Sequence, residues 1–307
     1  MVTINSELNS PGLWMKQVPL SLILPARNEE AGLRRLLPEL VAAFPRVEII
    51  IVDDGSDDDT PAVCAEFAVH VVRHPYPMGN GAAIKSGARA ASGGTLIFMD
   101  ADGQHKTDDI QILLAKFNEG YDMVVGARTT GSQASAQRAI ANDFFSWFAT
   151  WMVGQRVEDL TSGFRVVDAK KFRKFLYLLP NGFSYPTTIT MSFFRSGYSV
   201  AYVPIHTPKR IGASHLRPFR DGVRFLLIII KIGTLYSPQK LFLPISAGFF
   251  GVGFAYYLFT YFTMGRFTNM SALLFISSIL TFLIGIVSEQ VSALHYKDSE
   301  HTDDQGR

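Results

Sequence analysis

IFMDADGQH, residues 97–105, is the stretch on which the reading of this chain turns. An apolar run, Ile97–Met99, stops at Asp100, and a second carboxylate, Asp102, follows after one small residue. Two like charges so close repel unless something lies between them. In an extended chain residues i and i+2 project to the same side, so both carboxylates can reach one ion. A hard divalent cation, Mg²⁺ or Mn²⁺, takes oxygen ligands and keeps positions open for phosphate oxygens. The plainer alternative is that the acids cap a helix or mark a turn. The rest of the chain has to decide.

On both sides of this stretch, strand-like and helix-like segments alternate. VPLSLILPA, VEIIIVDDGS, AVHVVRH, GTLIFMDAD and YDMVVGAR read as strands. Between the first two, residues 28–44 carry Leu33, Leu36, Leu37, Leu40 and Val41 at helical spacing, with acids in the first turn. GNGAAIKSGARAASG and TDDIQILLAKFNEG read as further helices. This order predicts an α/β fold, a Rossmann-like, mostly parallel sheet with helices on both faces. Ligands of such sheets bind outside the carboxyl ends of the strands. Asn28 and Glu29 follow the first strand, Asp53 and Asp54 the second, Asp100 and Asp102 the fourth, and Arg128 ends the fifth. Polar groups therefore converge on one edge.

Several chemistries are excluded. GNGAAI begins G-x-G but has Ile84 in sixth place and follows the third strand, so a dinucleotide fingerprint fails in pattern and position. No P-loop motif occurs, and the seven histidines show no zinc spacing. A net charge of +2 argues against a general nucleic-acid binder. The single cysteine, Cys64, allows no intrachain disulfide and fits a reducing compartment.

The composition is 48% hydrophobic and 18% charged, and the apolar excess is concentrated at one end. Leu241–Thr263 gives 23 residues without Asp, Glu, Lys or Arg, and Phe267–Ser288 gives 22 more. Each run is long enough to cross a hydrocarbon core of roughly 30 Å. A short link at Gly265 and Arg266 makes them a transmembrane hairpin. Just before it, Lys209, Arg210, Arg217, Arg220, Arg224, Lys231 and Lys240 face one acid, Asp221. Such a belt marks the cytoplasmic side and suits an amphipathic helix on anionic lipid. MVTINSELNS has no signal-peptide pattern, so the preceding domain is expected to stay on the side where it is made. Trp147 and Trp151, four apart, are read as helix packing.

LPARNEE, IIIVDDGSDDDT, GNGAAIKSGARAASG, DADGQH and GAR, in this order and spacing, resemble the inverting nucleotide-sugar glycosyltransferases of the GT-A fold. DLTSGFRVVD and KRIGASHLRPFRDGVRFL, followed by two spans, are similar to the polyprenyl-phosphate branch, which includes dolichol-phosphate mannose and glucose synthases and bacterial polyprenyl-phosphate hexose synthases. The resemblance runs over residues 18–292. It implies an N-terminal extension (1–17), a GT-A catalytic domain (18–208), a basic juxtamembrane amphipathic segment (209–240), spans at 241–263 and 267–290, and a polar tail (291–307).

By matching position, it implies a donor nucleotide at Pro25, Ala26, Glu29, Asp53, Asp54, Asp100 and Ala101. The metal, Mg²⁺ or Mn²⁺, falls to Asp100, Asp102 and Gln104, and the catalytic residues are Asp102, Arg128 and Arg210. Two positions depart from the pattern: Ala26 where relatives often carry an aromatic residue, and His215 where many carry Lys. The expected reaction is inverting transfer of one hexose from a UDP- or GDP-sugar to a polyprenyl phosphate. The enzyme would be a multi-pass protein of the cell membrane with a cytoplasmic catalytic domain, and a homo-oligomer is compatible with it. A lipid monophosphate is already ionised near neutral pH, so it needs a cationic cradle rather than a base. A processive polysaccharide synthase would carry Q-x-x-R-W and more spans, and neither is present. A non-catalytic anchor would have no need of Asp100, Asp102 and Arg210.

Overall fold

The computed structural model describes residues 19–128, 136–182, 184–206 and 218–304. They belong to two compact units, Met1–Ser146 with Val157–Pro218, and Trp147–Arg156 with Phe219–Arg307.

The first unit runs β1 (Leu20–Ala26), α1 (Glu30–Ala43), β2 (Glu48–Asp53), α2 (Thr60–Ala65), β3 (His70–Arg73), α3 (Asn80–Ala90), β4 (Thr95–Phe98), α4 (Thr107–Phe117) and β5 (Met123–Arg128). The first part of α5 (Ala136–Val153) follows, then β6 (Arg165–Asp168), α6 (Ala169–Arg173), α7 (Tyr185–Arg195) and β7 (Val200–Ile205). The sheet order is β3-β2-β1-β4-β6-β5-β7. All strand pairs are parallel except those of β6, which runs antiparallel to β4 and β5. β6 and β7 lie beyond the last strand read from the sequence.

Alternation along each strand feeds two cores. Leu22, Leu24 and Ile51 join Leu33, Leu37 and Leu40 of α1 on one face. Ile23, Ile50 and Val52 join Ala83, Ile84 and Ala88 of α3, with Phe172 and Ile189, on the other. Strands covered on both faces must be apolar throughout, which is why they read as unbroken greasy runs. Each fully buried Leu or Ile contributes about 1.5–3 kcal/mol.

One expectation is corrected here. The β4 ladder ends at Phe98, and Asp100–Gly103 form a turn rather than extended chain. Asp100 and Asp102 are thus placed by the connection to α4, not by strand alternation.

The second unit holds the end of α5, then α8 (Pro218–Tyr236), α9 (Pro238–Met264) and α10 (Asn269–Asp304). α9 and the Asn269–Ser292 part of α10 are long and apolar enough to cross a membrane, with only 11% and 17% of their apolar windows buried. A soluble core pair would bury its apolar surface; these helices leave theirs outward. α9 opens with Pro238 at its first position and closes on Gly265 in the left-handed conformation (φ 65°). α10 starts at Asn269 because the Thr268 hydroxyl accepts the Ser271 N–H (3.4 Å). Across the hairpin Ser246 and Ser278 each donate a hydroxyl to the other's carbonyl at 2.9 Å. Polar pairs of this kind join spans that the hydrophobic effect cannot drive together in lipid.

α8 carries Arg220 and Arg224 in its first half and an exposed Lys231, while Arg217 lies outside the described residues. Lys240 donates to the Trp151 and Met152 carbonyls (3.2 and 3.1 Å), a cation at the C-terminus of α5. Of the two tryptophans, Trp147 is 61% and Trp151 39% exposed, and Trp151 stacks on Phe148 with ring centroids 5.9 Å apart. Ser146, Ala149, Met152 and Val153 are the residues buried among those described in α5, because they occupy its opposite face.

Candidate active site

Strand order reverses between β1 and β4, and the crevice of such a sheet lies at that switch. Ile23 is the last β1 residue paired with β4, whereas Pro25 and Ala26 still pair with β2. Proline has no N–H to donate, so it suits the point where one neighbour has departed. Ala26 is buried and Pro25 half-buried. Beyond them Asn28 takes a positive φ of 56°. Its N–H donates to Ser56 Oγ (3.0 Å) and its side-chain oxygen accepts from Asp57 N (2.9 Å). Glu29 N donates to Thr60 Oγ1 (3.0 Å). The acid-rich DDGSDDDT segment thus laces the loop after β2 to the loop after β1.

Asp53 is wholly buried; one oxygen accepts from Ser56 N (2.8 Å) and the other lies 3.3 Å from Arg73 Nε. Asp54, expected to hold nucleoside, has its carboxylate committed to the protein. It accepts from Met78 N (2.7 Å), Gly79 N (2.8 Å) and His74 Nδ1 (2.7 Å), and His74 Nε2 pairs with Ser86 Oγ (2.8 Å). Asp54 therefore shapes the chain between β3 and α3. A cavity of about 510 Å³ opens at the ends of β2 and β3, lined by Gly55, Ser56, Asp57, Arg73, His74 and residues 75–77.

The G-N-G stretch is explained by packing. Side chains at Gly79 or Gly81 would strike the carbonyls of Asn181 and Pro180. Lys85 donates to Leu179 O (3.1 Å) and Asn181 Oδ1 (2.6 Å). The N-terminus of α3 thus receives the loop before α7.

In the acidic turn Asp100, Asp102 and Gln104 are half-buried and Ala101 is buried. Asp102 Oδ1 accepts from Gln104 N (3.1 Å). Gly32, in the first turn of α1, presses on this turn; a Cβ there would overlap the Ala101 carbonyl and come within 3.3 Å of Asp102 Cα. A Cβ on Gly163 would stand 3.6 Å from both Asp100 oxygens, an ordinary contact, and 3.2 Å from the Tyr185 hydroxyl. His105 is buried and stacked on Phe164, centroids 4.4 Å apart and planes 19° apart. Burial holds its imidazole below the ordinary value, against the pull of Asp100, Asp102 and Asp109. It is a packing element under the turn.

This donor set fits a hard divalent cation. It offers oxygens only, on two accessible carboxylates and an amide. Among the described residues no three His, Cys, Asp or Glu side chains gather to hold an ion unaided.

Arg128, at the end of β5, meets a residue the sequence reading did not single out. Its Nε and Nη2 donate to Asp159 Oδ2 and Oδ1 (2.9 and 3.1 Å), and Nη2 also reaches Thr161 Oγ1. Asp159 further accepts from Thr161 N (3.0 Å) and Ser162 N (3.1 Å). Burial pushes the Asp159 carboxyl up, but Arg128 and these N–H groups outweigh it and hold it below the usual range. The signal was present as D-L-T-S, an Asx-type turn; nothing local names its arginine. The Arg128 side chain stays 37% exposed, so it can still meet a ligand. Lys209, Arg210, Ser214 and His215 lie outside the described residues.

Comparison with known proteins bears on this arrangement. The model of glycosyl transferase family 2 matches residues 21–178, just over half of the chain, and that of the GtrB C-terminal hairpin matches residues 237–294. A dolichyl-phosphate hexose transferase of Haloferax volcanii is 27% identical over 216 residues, 69% of this chain and 93% of the relative. A polyprenol monophosphomannose synthase of Mycolicibacterium smegmatis is 29% identical over 213 residues, 64% of this chain and 80% of the relative. Among solved structures, glucosyl-3-phosphoglycerate synthase of Mycobacterium tuberculosis, in complex with Mn²⁺, UDP and phosphoglyceric acid, superposes with a TM-score of 0.57 at 20% identity, covering 71% of this chain and 80% of that one. That last likeness establishes the GT-A fold. The two apolar helices and the hairpin match make the protein membrane-associated. The chain therefore belongs to glycosyl transferase family 2, as a GT-A glycosyltransferase that carries a GtrB-type hairpin.

Proposed function

We propose that the protein transfers one hexose, with inversion, from a nucleotide-diphosphate sugar to a polyprenyl phosphate at the cytoplasmic face of the membrane. The observation that carries this is the pairing, in one chain, of a family 2 unit that has an acidic turn at its switch point with a GtrB-type membrane hairpin. The names of the relatives, hexose and mannose transferases to dolichyl or polyprenyl carriers, support it.

In this reading the nucleoside lies along Pro25, Ala26, Glu29 and the cavity beside Asp53, with Asp54 shaping that wall through His74. Asp100, Asp102 and Gln104 would hold Mg²⁺ or Mn²⁺, which offsets the charge developing on the leaving nucleoside diphosphate. The Mn²⁺ and UDP bound to the mycobacterial synthase support both groups. Arg128, fixed by Asp159, presents a guanidinium to phosphate. Arg210 is assigned to the acceptor phosphate on sequence position alone. An ionised phosphate oxygen forms the new bond to the anomeric carbon as the bond to the diphosphate oxygen breaks on the opposite face. No base is needed; orientation and charge supply the acceleration. The basic residues before the first span favour the cytoplasmic face.

The test is incubation of the purified protein with a panel of labelled UDP- and GDP-sugars, a polyprenyl phosphate and Mg²⁺ or Mn²⁺. A metal-dependent lipid product carrying one sugar, acid-labile and alkali-stable, is expected. A polymer, or no lipid product from any donor, would overturn the assignment.

A further inference from the structure

Arg165 is the largest side chain wholly buried in the described protein, and none of the groups used so far explains it. It opens β6 and pairs with Phe98 and Val125, so it lies at the carboxyl edge of the parallel strands. Its guanidinium points into the core beneath α7. Nη1 donates to Thr190 Oγ1 (3.2 Å) and Pro186 O (3.4 Å), and Nη2 to the Ser162 carbonyl. Nε has no acceptor. The Tyr185 ring lies 5.7 Å from the guanidinium carbon. It forms no ion pair with any described carboxylate; Asp159 and Asp100 act on it only at longer range.

A guanidinium stays protonated in proteins, so this is a buried charge with neutral partners, a costly arrangement. A leucine or methionine would fill the same core without that cost. What the charge does touch is informative. Ser162 ends the turn that Asp159 organises, and Asp159 is the partner of Arg128. The turn is therefore gripped by two arginines, Arg128 through the carboxylate and Arg165 through the last carbonyl. The charges are also unequal. Asp159 is paired directly with one guanidinium, while the second is offset only at longer range, by Asp159 and Asp100, in surroundings where water screens little.

We propose that Arg165 is a positioning residue for the transfer. It holds the Asp159–Ser162 turn so that Arg128 is presented to phosphate, and it adds a buried positive charge near the Arg128–Asp159 pair. It touches no substrate. The inference rests on the reading above that phosphate arrives at Arg128.

The test compares Arg165→Met, of similar length and apolar, with Arg165→Lys, which keeps the charge and loses the fork. Readouts are apparent Tm in detergent, steady-state kinetics with a polyprenyl phosphate, and calorimetric binding of inorganic pyrophosphate. The expectation is a Met variant that melts near the wild type while the acceptor KM or pyrophosphate Kd rises about 10- to 100-fold, as for residues that orient a ligand-binding side chain. The Lys variant should recover part of that loss. The Met defect should persist from low to high salt, because a buried charge is poorly screened. If the folded Met variant binds phosphate groups as the wild type does, the proposal is overturned. Should Met fail to fold, the Lys variant decides: a raised KM at wild-type Tm supports the proposal, and a wild-type KM overturns it. Failure of the wild type itself to bind pyrophosphate or use any polyprenyl phosphate would instead sink the functional reading.

Discussion

Gly32→Ala separates two opposing effects that the structure allows to be weighed. In a helix interior Gly to Ala normally stabilises by about 1 kcal/mol, an upper bound for Gly32 in the first turn of α1. At Gly32 the added methyl meets backbone: it overlaps the Ala101 carbonyl and stands 3.3 Å from Asp102 Cα. Carbon atoms prefer about 3.5–4.0 Å, and a backbone carbonyl cannot rotate aside as a side-chain tip can. The acidic turn or the start of α1 must therefore shift by several tenths of an ångström. Overpacking of this kind costs about 1–3 kcal/mol, so the net effect is a loss of about 1 kcal/mol, or roughly 2–4 °C in apparent Tm. Activity should suffer more. A shift approaching 1 Å in a group that positions substrate costs up to about 10²-fold. The assay is kcat/KM for donor with metal titrated from limiting to saturating, beside a thermal melt in the same detergent. The expected signature is a small Tm loss, a large kcat/KM loss and partial recovery at high metal. A Gly32→Ala protein that melts higher than wild type and turns over normally would show that α1 does not set the position of Asp102.

Asp102→Asn should melt like the wild type but lose about 10²–10³-fold in turnover at limiting Mg²⁺, as when a charge-stabilising group is removed; normal turnover there would discredit the metal assignment. Asp159 is held below the ordinary carboxyl range, so its contribution to stability is present above about pH 4 and is lost as pH falls through the depressed value. Asp159→Asn should thus cost about 3 kcal/mol near neutrality and flatten the acid limb of Tm against pH, and an unchanged acid limb would count against the pair. Single-cysteine labelling of intact cells from outside should reach the loop at Arg266 and not the tail; labelling of the tail would contradict the hairpin orientation.

Much of the architecture is written locally. Unbroken runs such as Ile49–Val52 require a sheet covered on both faces, and 23 uncharged residues at Leu241–Thr263 require a lipid-like surround. Both follow from side-chain transfer free energies that each segment carries wherever it lies. The acidic residues at strand ends were legible for a similar reason, since strand length places them at one edge. What each polar group binds was not. Asp54 and His74 are 20 residues apart, Arg128 and Asp159 are 31 apart, and Lys85 meets Asn181 across 96. The same holds for Arg165, which in sequence is one more basic residue and in the fold is a wholly buried cation. A hydrogen bond needs two groups within about 3 Å, and only the folded chain sets which loops come that close. The sequence by itself determined the first five strands of the sheet, the spans and the chemistry on offer at the edge, whereas β6 and β7 emerged only in the fold. The tertiary structure alone decided which of those charges stay open to a ligand and which are held by the protein.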